Sequence, residues 1–146
     1  MVDAIGCFDG KVHILPIRMY YEDTDLSGVV YHANYLRYME RGRSEFFRAV
    51  GISKLARLDE PEPTAWTLRR LEIEYFRPAR VDDLIEVHTK ATSLSGARMT
   101  ADQSIFCGGE RLTHGSVEAC MMTLTGKPRR IPADIRDKLL PFLCET

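Results

Sequence analysis

The sequence predicts an α+β fold, an antiparallel sheet of about five strands wrapped around one long helix. Three observations predict it. Residues 33–50 carry apolar side chains at 35, 38, 39, 46, 47 and 50, which is helical spacing. Residues 64–125 are instead a succession of alternating or β-branched runs parted by glycine turns. The order of these pieces is one strand, one helix, then four strands that read as a meander. It leaves the long helix as the only element able to cover the apolar face of the sheet. A chain of 146 residues, 45% hydrophobic, builds one core, so 1–146 is read as a single domain.

The elements follow in order. Residues 11–20 are β-branched and read as a first strand, with Pro16 favouring an edge or a bulge because proline gives no N–H to a ladder. The helix from Ala33 to Val50 has Gly42 on or beside its apolar stripe. A glycine costs a helix interior ~1 kcal/mol. Close packing against the sheet accounts for it; the competing reading is a mobile or irregular helix. Arg41 and Glu45 are spaced to pair on the solvated side, and Gly51 is a natural stop. Residues 52–63 are a connector in which Glu60-Pro61-Glu62-Pro63 forbids regular structure. It either covers a pocket or simply links helix to sheet. The strands are then Thr64–Phe76, Leu84–Ser93, Arg98–Cys107 and Glu110–Thr125, with Ser95-Gly96 and Gly108-Gly109 as hairpin turns. Residues after Pro132 form a short C-terminal helix.

Composition excludes several function classes. Lys+Arg 20 against Asp+Glu 21 gives a net charge of −1, which argues against a nucleic-acid-binding domain. No apolar run reaches the length of a membrane span. The segment Met1–Cys7 lacks the charged start and apolar core of a signal peptide. Cys7, Cys107, Cys120 and Cys144 show no C-x-x-C spacing and read as free thiols of a cytoplasmic protein, Cys120 as a core residue. His13, His32, His88 and His114 have no ligand-like spacing, so no metal is expected.

The chemistry concentrates in residues 21–35, where two aspartates, a glycine, a histidine and an asparagine immediately precede the helical pattern. Asp25 is flanked by Leu26, Val29 and Val30, which predicts partial burial and a raised pKa. Such a carboxylate attacks a carbonyl or activates water. Gly28 permits a tight turn. A helix beginning near His32 aims its first N–H groups at a developing oxyanion, and the His32 side chain can orient water or shuttle a proton. The same residues also read as ordinary turn and cap composition. Tyr20, Tyr21, Tyr31 and Tyr35 read first as core and interface packing.

The stretch Tyr21-Glu22-Asp23-Thr24-Asp25, Gly28-Val29-Val30-Tyr31-His32, Asn34-Tyr35 resembles the signature of the hotdog-fold acyl-CoA thioesterases. It is most similar to the 4-hydroxybenzoyl-CoA thioesterase group and, within it, to the Tol-Pal-associated subfamily. Glu40-Arg41, Arg43, Glu45-Phe46-Phe47, Gly51-Ile52, Phe76-Arg77-Pro78-Ala79 and Asp83 fit the same pattern, so the resemblance covers roughly residues 12–130. One departure is Asp82-Asp83, where the family often carries Gly-Asp.

The resemblance implies a hotdog fold and hydrolysis of an acyl-CoA or acyl-carrier-protein thioester. Asp25 then falls on the catalytic carboxylate, and His32 on the helix entrance that gives a backbone N–H to the thioester carbonyl. Tyr31 and Asn34 are candidate substrate contacts. No cofactor is implied, coenzyme A being part of the substrate. A homodimer, often paired into a tetramer, is implied, with the pocket between protomers. A nearly neutral chain needs local basic clusters to hold an anionic coenzyme, and Arg98, Lys127, Arg129 and Arg130 are the candidates, beside Arg69-Arg70 and Arg77 with Arg80. Solvated surface charge is their competing reading. Two other functions fit the pattern: a hotdog dehydratase acting on 3-hydroxyacyl thioesters, and a non-catalytic acyl-thioester binding protein. A nucleic-acid module is disfavoured by the charge balance.

Overall fold

The computed structural model describes residues 5–53 and 55–144. The reading of the extreme N-terminus therefore lies largely outside the described residues. A single antiparallel sheet carries the strands β1 (Cys7–Asp9), β2 (Val12–Arg18), β3 (Ala56–Arg57), β4 (Thr64–Tyr75), β5 (Leu84–Ser95), β6 (Arg98–Cys107) and β7 (Glu110–Thr123). Their order across the sheet is β1-β2-β5-β6-β7-β4-β3. The helices are α1 (Asn34–Ala49) and α2 (Ala133–Leu139). Five strands are long; β1 and β3 are short additions at the two edges.

The expected meander holds for β5-β6-β7 but not for β4. That strand pairs with β7 from Thr64↔Thr123 to Tyr75↔Thr113 and has no ladder with β5. The glycine turns at 96 and 108–109 dictate local hairpins, whereas residues 76–83 form a longer connection that turns away. The first strand also differs from expectation. The expected run is β2, and a short strand not expected precedes it: the chain turns at Gly10, φ +61°, so β1 and β2 form a hairpin with Phe8 opposite His13. Pro16 pairs with Glu86 on β5, beyond the reach of β1, so its other side is a free edge, as proline requires.

The helix buries one face: Tyr35, Tyr38, Met39, Gly42, Phe46 and Phe47. Two apolar groups result. Around its first half are Leu15, Ile85, Val87, Ile105, Leu112 and Val117. Around its second half are Met99, Ala101, Met121, Ile131, Ile135 and Leu139, the last two from α2. Full burial of a side chain such as Phe46 contributes on the order of 2–3 kcal/mol. Gly42 sits where the helix presses on β5. A Cβ there would lie 2.6 Å from Val87 Cγ1 and 2.9 Å from Thr89 Oγ1. This close approach is the expected reason for the glycine. Between the two apolar groups Gln103, fully buried, donates to the Met39 carbonyl (2.7 Å) and Thr89 Oγ1 (2.9 Å), while Arg43 donates to its Oε1 (3.0 Å). The expected Arg41–Glu45 pair is not formed. Glu45 pairs with Arg48 and accepts from the Ile5 N–H, while Arg41 lies over the Tyr38 ring.

Candidate functional site

After β2 the chain makes a 3₁₀ turn, Tyr21–Asp23, and then a hairpin loop closed by the Thr24↔Val30 bridge. The Asp25 N–H donates to the Val29 carbonyl and the Gly28 N–H to the Asp25 carbonyl, both at 3.0 Å. Gly28 has φ +81°, the left-handed backbone that this reversal needs and that glycine adopts without a Cβ penalty. The loop is moored to the segment before β5, because Val30 N–H donates to Ala79 carbonyl at 2.8 Å.

Asp25 stands exposed at the loop tip, not partly buried, with Leu26 fully exposed beside it. Its Oδ1 accepts from Ser27 N–H (2.8 Å) and from the Ser27 hydroxyl. These bonds favour the charged form, and the nearby His32 side chain adds to them, so the carboxyl titrates below its ordinary value. The expected raised pKa is thus reversed in the single protomer. Leu26 stands in solvent and Val30 in the core, and a local Asx turn captures the carboxylate.

The helix proper begins at Asn34, two residues after His32, following a turn through His32 and Ala33. Asn34 N–H donates to the Tyr31 carbonyl at 2.9 Å. The His32 carbonyl accepts from the Tyr75 hydroxyl at 2.8 Å. Among the described residues no acceptor takes the N–H of His32 or Ala33. The imidazole is exposed, packed against the Tyr31 ring (4.5 Å between centroids) and edge-on to Tyr75 (6.5 Å). Asp25, Tyr31, His32 and Asn34 are therefore gathered at one end of α1. The Asn34 amide is already engaged, donating to the Asp23 carbonyl at 2.9 Å.

The basic candidates lie elsewhere. Arg98 is in register with Cys120 and, through it, Thr67, whereas the helix entrance is bonded to Tyr75. Eight residues of strand separate these levels, about 25 Å. Arg98 shares Glu118 with Arg69, Arg129 pairs with Glu62, and Lys127 and Arg130 are exposed beyond the end of β7. Within one protomer these four residues and Asp25 occupy opposite ends of the sheet.

Three residues of the site were given no role of their own by the sequence reading: Asp23, Tyr38 and Tyr75. Asp23 is the hub of the loop. Its carbonyl accepts from Tyr31 N–H (3.0 Å) as well as Asn34, and its carboxylate accepts from Tyr20 N–H (2.7 Å) and from the Tyr38 hydroxyl (2.7 Å). Tyr38 is buried, and burial followed by the bond to Asp23 pushes its phenol far up, so it stays a donor. Tyr75 is the third. A buried tyrosine hydroxyl needs a partner, and an acidic residue in the loop upstream of α1 was the available clue, which does not choose between Asp23 and Asp25.

Comparison with known proteins shows the family. The model of the thioesterase superfamily matches residues 27–114. The chain is similar to acyl-CoA thioester hydrolase YbgC of Escherichia coli, 38% identical over 122 residues that cover 82% of this chain and 90% of that protein. Its likeness to acyl-CoA thioesterase YbgC of Haemophilus influenzae is 35% over 122 residues, 83% and 89% of the two chains. Among solved structures, the probable thioesterase from Bartonella henselae superposes with a TM-score of 0.78 at 44% identity, covering 83% of this chain and 98% of that one.

Proposed function

The chain belongs to the thioesterase superfamily, with the hotdog fold, and is an acyl-CoA thioester hydrolase; from that premise we propose that Asp25 and the entrance of α1 carry the reaction. The observation that supports this most is the meeting of an ionised carboxylate, held by Ser27, with the unclaimed N–H groups of His32 and Ala33 at one helix end. Such donors stabilise the charge that grows on a thioester oxygen, a contribution of ~3–4 kcal/mol for one well-placed donor in acyl transfer. The Asp25 carboxylate attacks the carbonyl carbon or removes a proton from the attacking water, and the thiolate of the coenzyme leaves. A carboxylate held on the acid side of its ordinary range is charged throughout the neutral range and ready for either task. The His32 imidazole, exposed beside it, orients the water or returns a proton to the leaving sulfur. Tyr31 lines the approach. The reaction needs no cofactor.

A homodimer completes the proposal. The edge of β4 is open from Thr67 to Tyr75, since β3 pairs only with Thr64 and Ala65. Such an edge is a template for pairing with a second copy, whose Arg98, Lys127, Arg129 and Arg130 then become available to the anionic end of the substrate. No helix of the described residues is long and apolar enough to cross a membrane. The four cysteines are free thiols, which fits a cytoplasmic enzyme.

The test is release of free thiol from a panel of acyl-CoAs, short and long aliphatic and aromatic, and from an acyl-carrier protein. Asp25→Asn is expected to fold normally and to lose at least 100-fold in kcat, within the range that removal of such groups costs. Near-normal turnover by that variant sinks the assignment of Asp25. An enoyl thioester as product, in place of free thiol, identifies a dehydratase.

A further inference from the structure

The backbone between the loop and α1 is held at its carbonyls and at the Tyr31 N–H. Tyr31 N–H is taken by the Asp23 carbonyl (3.0 Å), and the Tyr31 carbonyl accepts from Asn34 N–H (2.9 Å). The His32 carbonyl is held not by the helix but by a side chain from another element, the hydroxyl of Tyr75 at the last position of β4 (2.8 Å). A peptide unit is planar and trans, so its C=O and the following N–H point in opposite directions and rotate together. Fixing the His32 carbonyl therefore fixes the direction of the Ala33 N–H. Ala33 is in the right-handed helical region, φ −71° and ψ −22°, so that N–H points back out of the helix end. It has no acceptor among the described residues.

We infer that Tyr75 is a positioning residue of the hydrolytic reaction: its hydroxyl, by holding the His32 carbonyl, aims the Ala33 N–H at the thioester oxygen alongside that of His32. The inference rests on the thioester-hydrolysis reading above. Tyr75 acts through the backbone and touches no reacting atom. Its ring is itself braced, edge-on to buried Tyr35 at 5.6 Å between centroids, and Tyr35 is anchored by accepting the Ala79 N–H at 2.9 Å. The hydroxyl thus reaches the helix entrance from a rigid support. It also ties the entrance to the same strand whose free edge faces a second copy, so the donor set is fixed by the sheet and not by the helix alone.

Tyr75→Phe removes one oxygen from a side chain that is 45% exposed, so the variant keeps the fold. The donor remains but is no longer aimed, so the loss is smaller than for deletion of a donor: kcat is expected to fall about tenfold, with KM changed less than about twofold. A second readout separates aiming from general loosening. Affinity for an S-alkyl-CoA thioether, which has no carbonyl oxygen, should be unchanged in the variant. A difluoroketone analogue, with CF2 between carbonyl and sulfur so that it hydrates to the tetrahedral geometry of the intermediate, should bind about tenfold more weakly. Wild-type kcat in Tyr75→Phe, or equal weakening of both analogues, overturns the inference. Absence of turnover by the wild-type enzyme on every thioester is a different result: it removes the thioesterase reading itself, whatever the variant does.

Discussion

Ser27 sets the charge of Asp25 through two hydrogen bonds to one oxygen, from its N–H and its hydroxyl. The folded-state pKa of Asp25 is thereby lowered, so the carboxylate survives to more acid pH than an unassisted aspartate. Ser27→Ala removes the larger of these contributions. The acid limb of kcat/KM is then expected to move to higher pH, seen in a pH–rate profile from pH 4 to 8; an unmoved limb would detach Ser27 from the catalytic group. The pKa of His13 is lowered too, but by an environment that disfavours its charged form. It is fully buried between Phe8 and Phe46, its Nε2 donates to the Ile5 carbonyl (3.1 Å), and its Nδ1 has no partner. Burial lowers its pKa from 6.5, against the raising effects of the Ile5 carbonyl and Glu45. The unfolded chain therefore binds the proton first, and stability falls as pH drops below 6.5 toward the folded pKa. Denaturant titrations at pH 7.5 and 5.5 should show this loss in the wild type and a smaller one in His13→Gln. At this scale the sequence was legible for residue types and not for their environment. The run Leu26, Val29, Val30 suggested a buried Asp25, but only the loop's hydrogen bonds decide which way those side chains turn.

The helix illustrates what periodicity does and does not convey. Apolar spacing located α1 to within a residue or two, and the glycine in its stripe marked the place of closest approach to β5. Gly42→Ala raises the helical propensity by about 1 kcal/mol but adds a methyl where 2.6 Å separates the Cβ position from Val87. A loss of about 1–3 kcal/mol is expected by chemical denaturation, since neither the helix nor the strand can retreat freely; an unchanged midpoint would mean that the two elements are not in firm contact. Periodicity said nothing of Tyr38, which reads as one more core position. Its hydroxyl instead ties the helix to Asp23 and so to the loop that carries Asp25. Tyr38→Phe should cost about 1–2 kcal/mol, because the Asp23 carboxylate loses a donor. The ion pair expected from Arg41 and Glu45 failed for a related reason: spacing permits both i,i+3 and i,i+4 partners, and Arg48 takes Glu45.

For the molecule as a whole, the strand boundaries were readable from turns and alternation, but the neighbour of β4 was not. Chain order suggests β5; the sheet gives β7. The choice leaves β4 at the border with its outer rim open. A second copy pairing there gives sedimentation at about twice 16.7 kDa and a specific activity that declines on dilution. A chain sedimenting at the mass of one copy with undiminished turnover would remove the dimer from the proposal. The position of β7 has a further consequence. It is the last strand in the sequence, yet it lies between β6 and β4 and holds both. On the ribosome, then, the thirty-four residues 76–109 separate β4 from its partner strand, and the helix waits over an unfinished surface until Thr123 has emerged. Nascent β4 spends that interval as an unpaired strand rich in branched and aromatic side chains, the period when a chaperone has most to do.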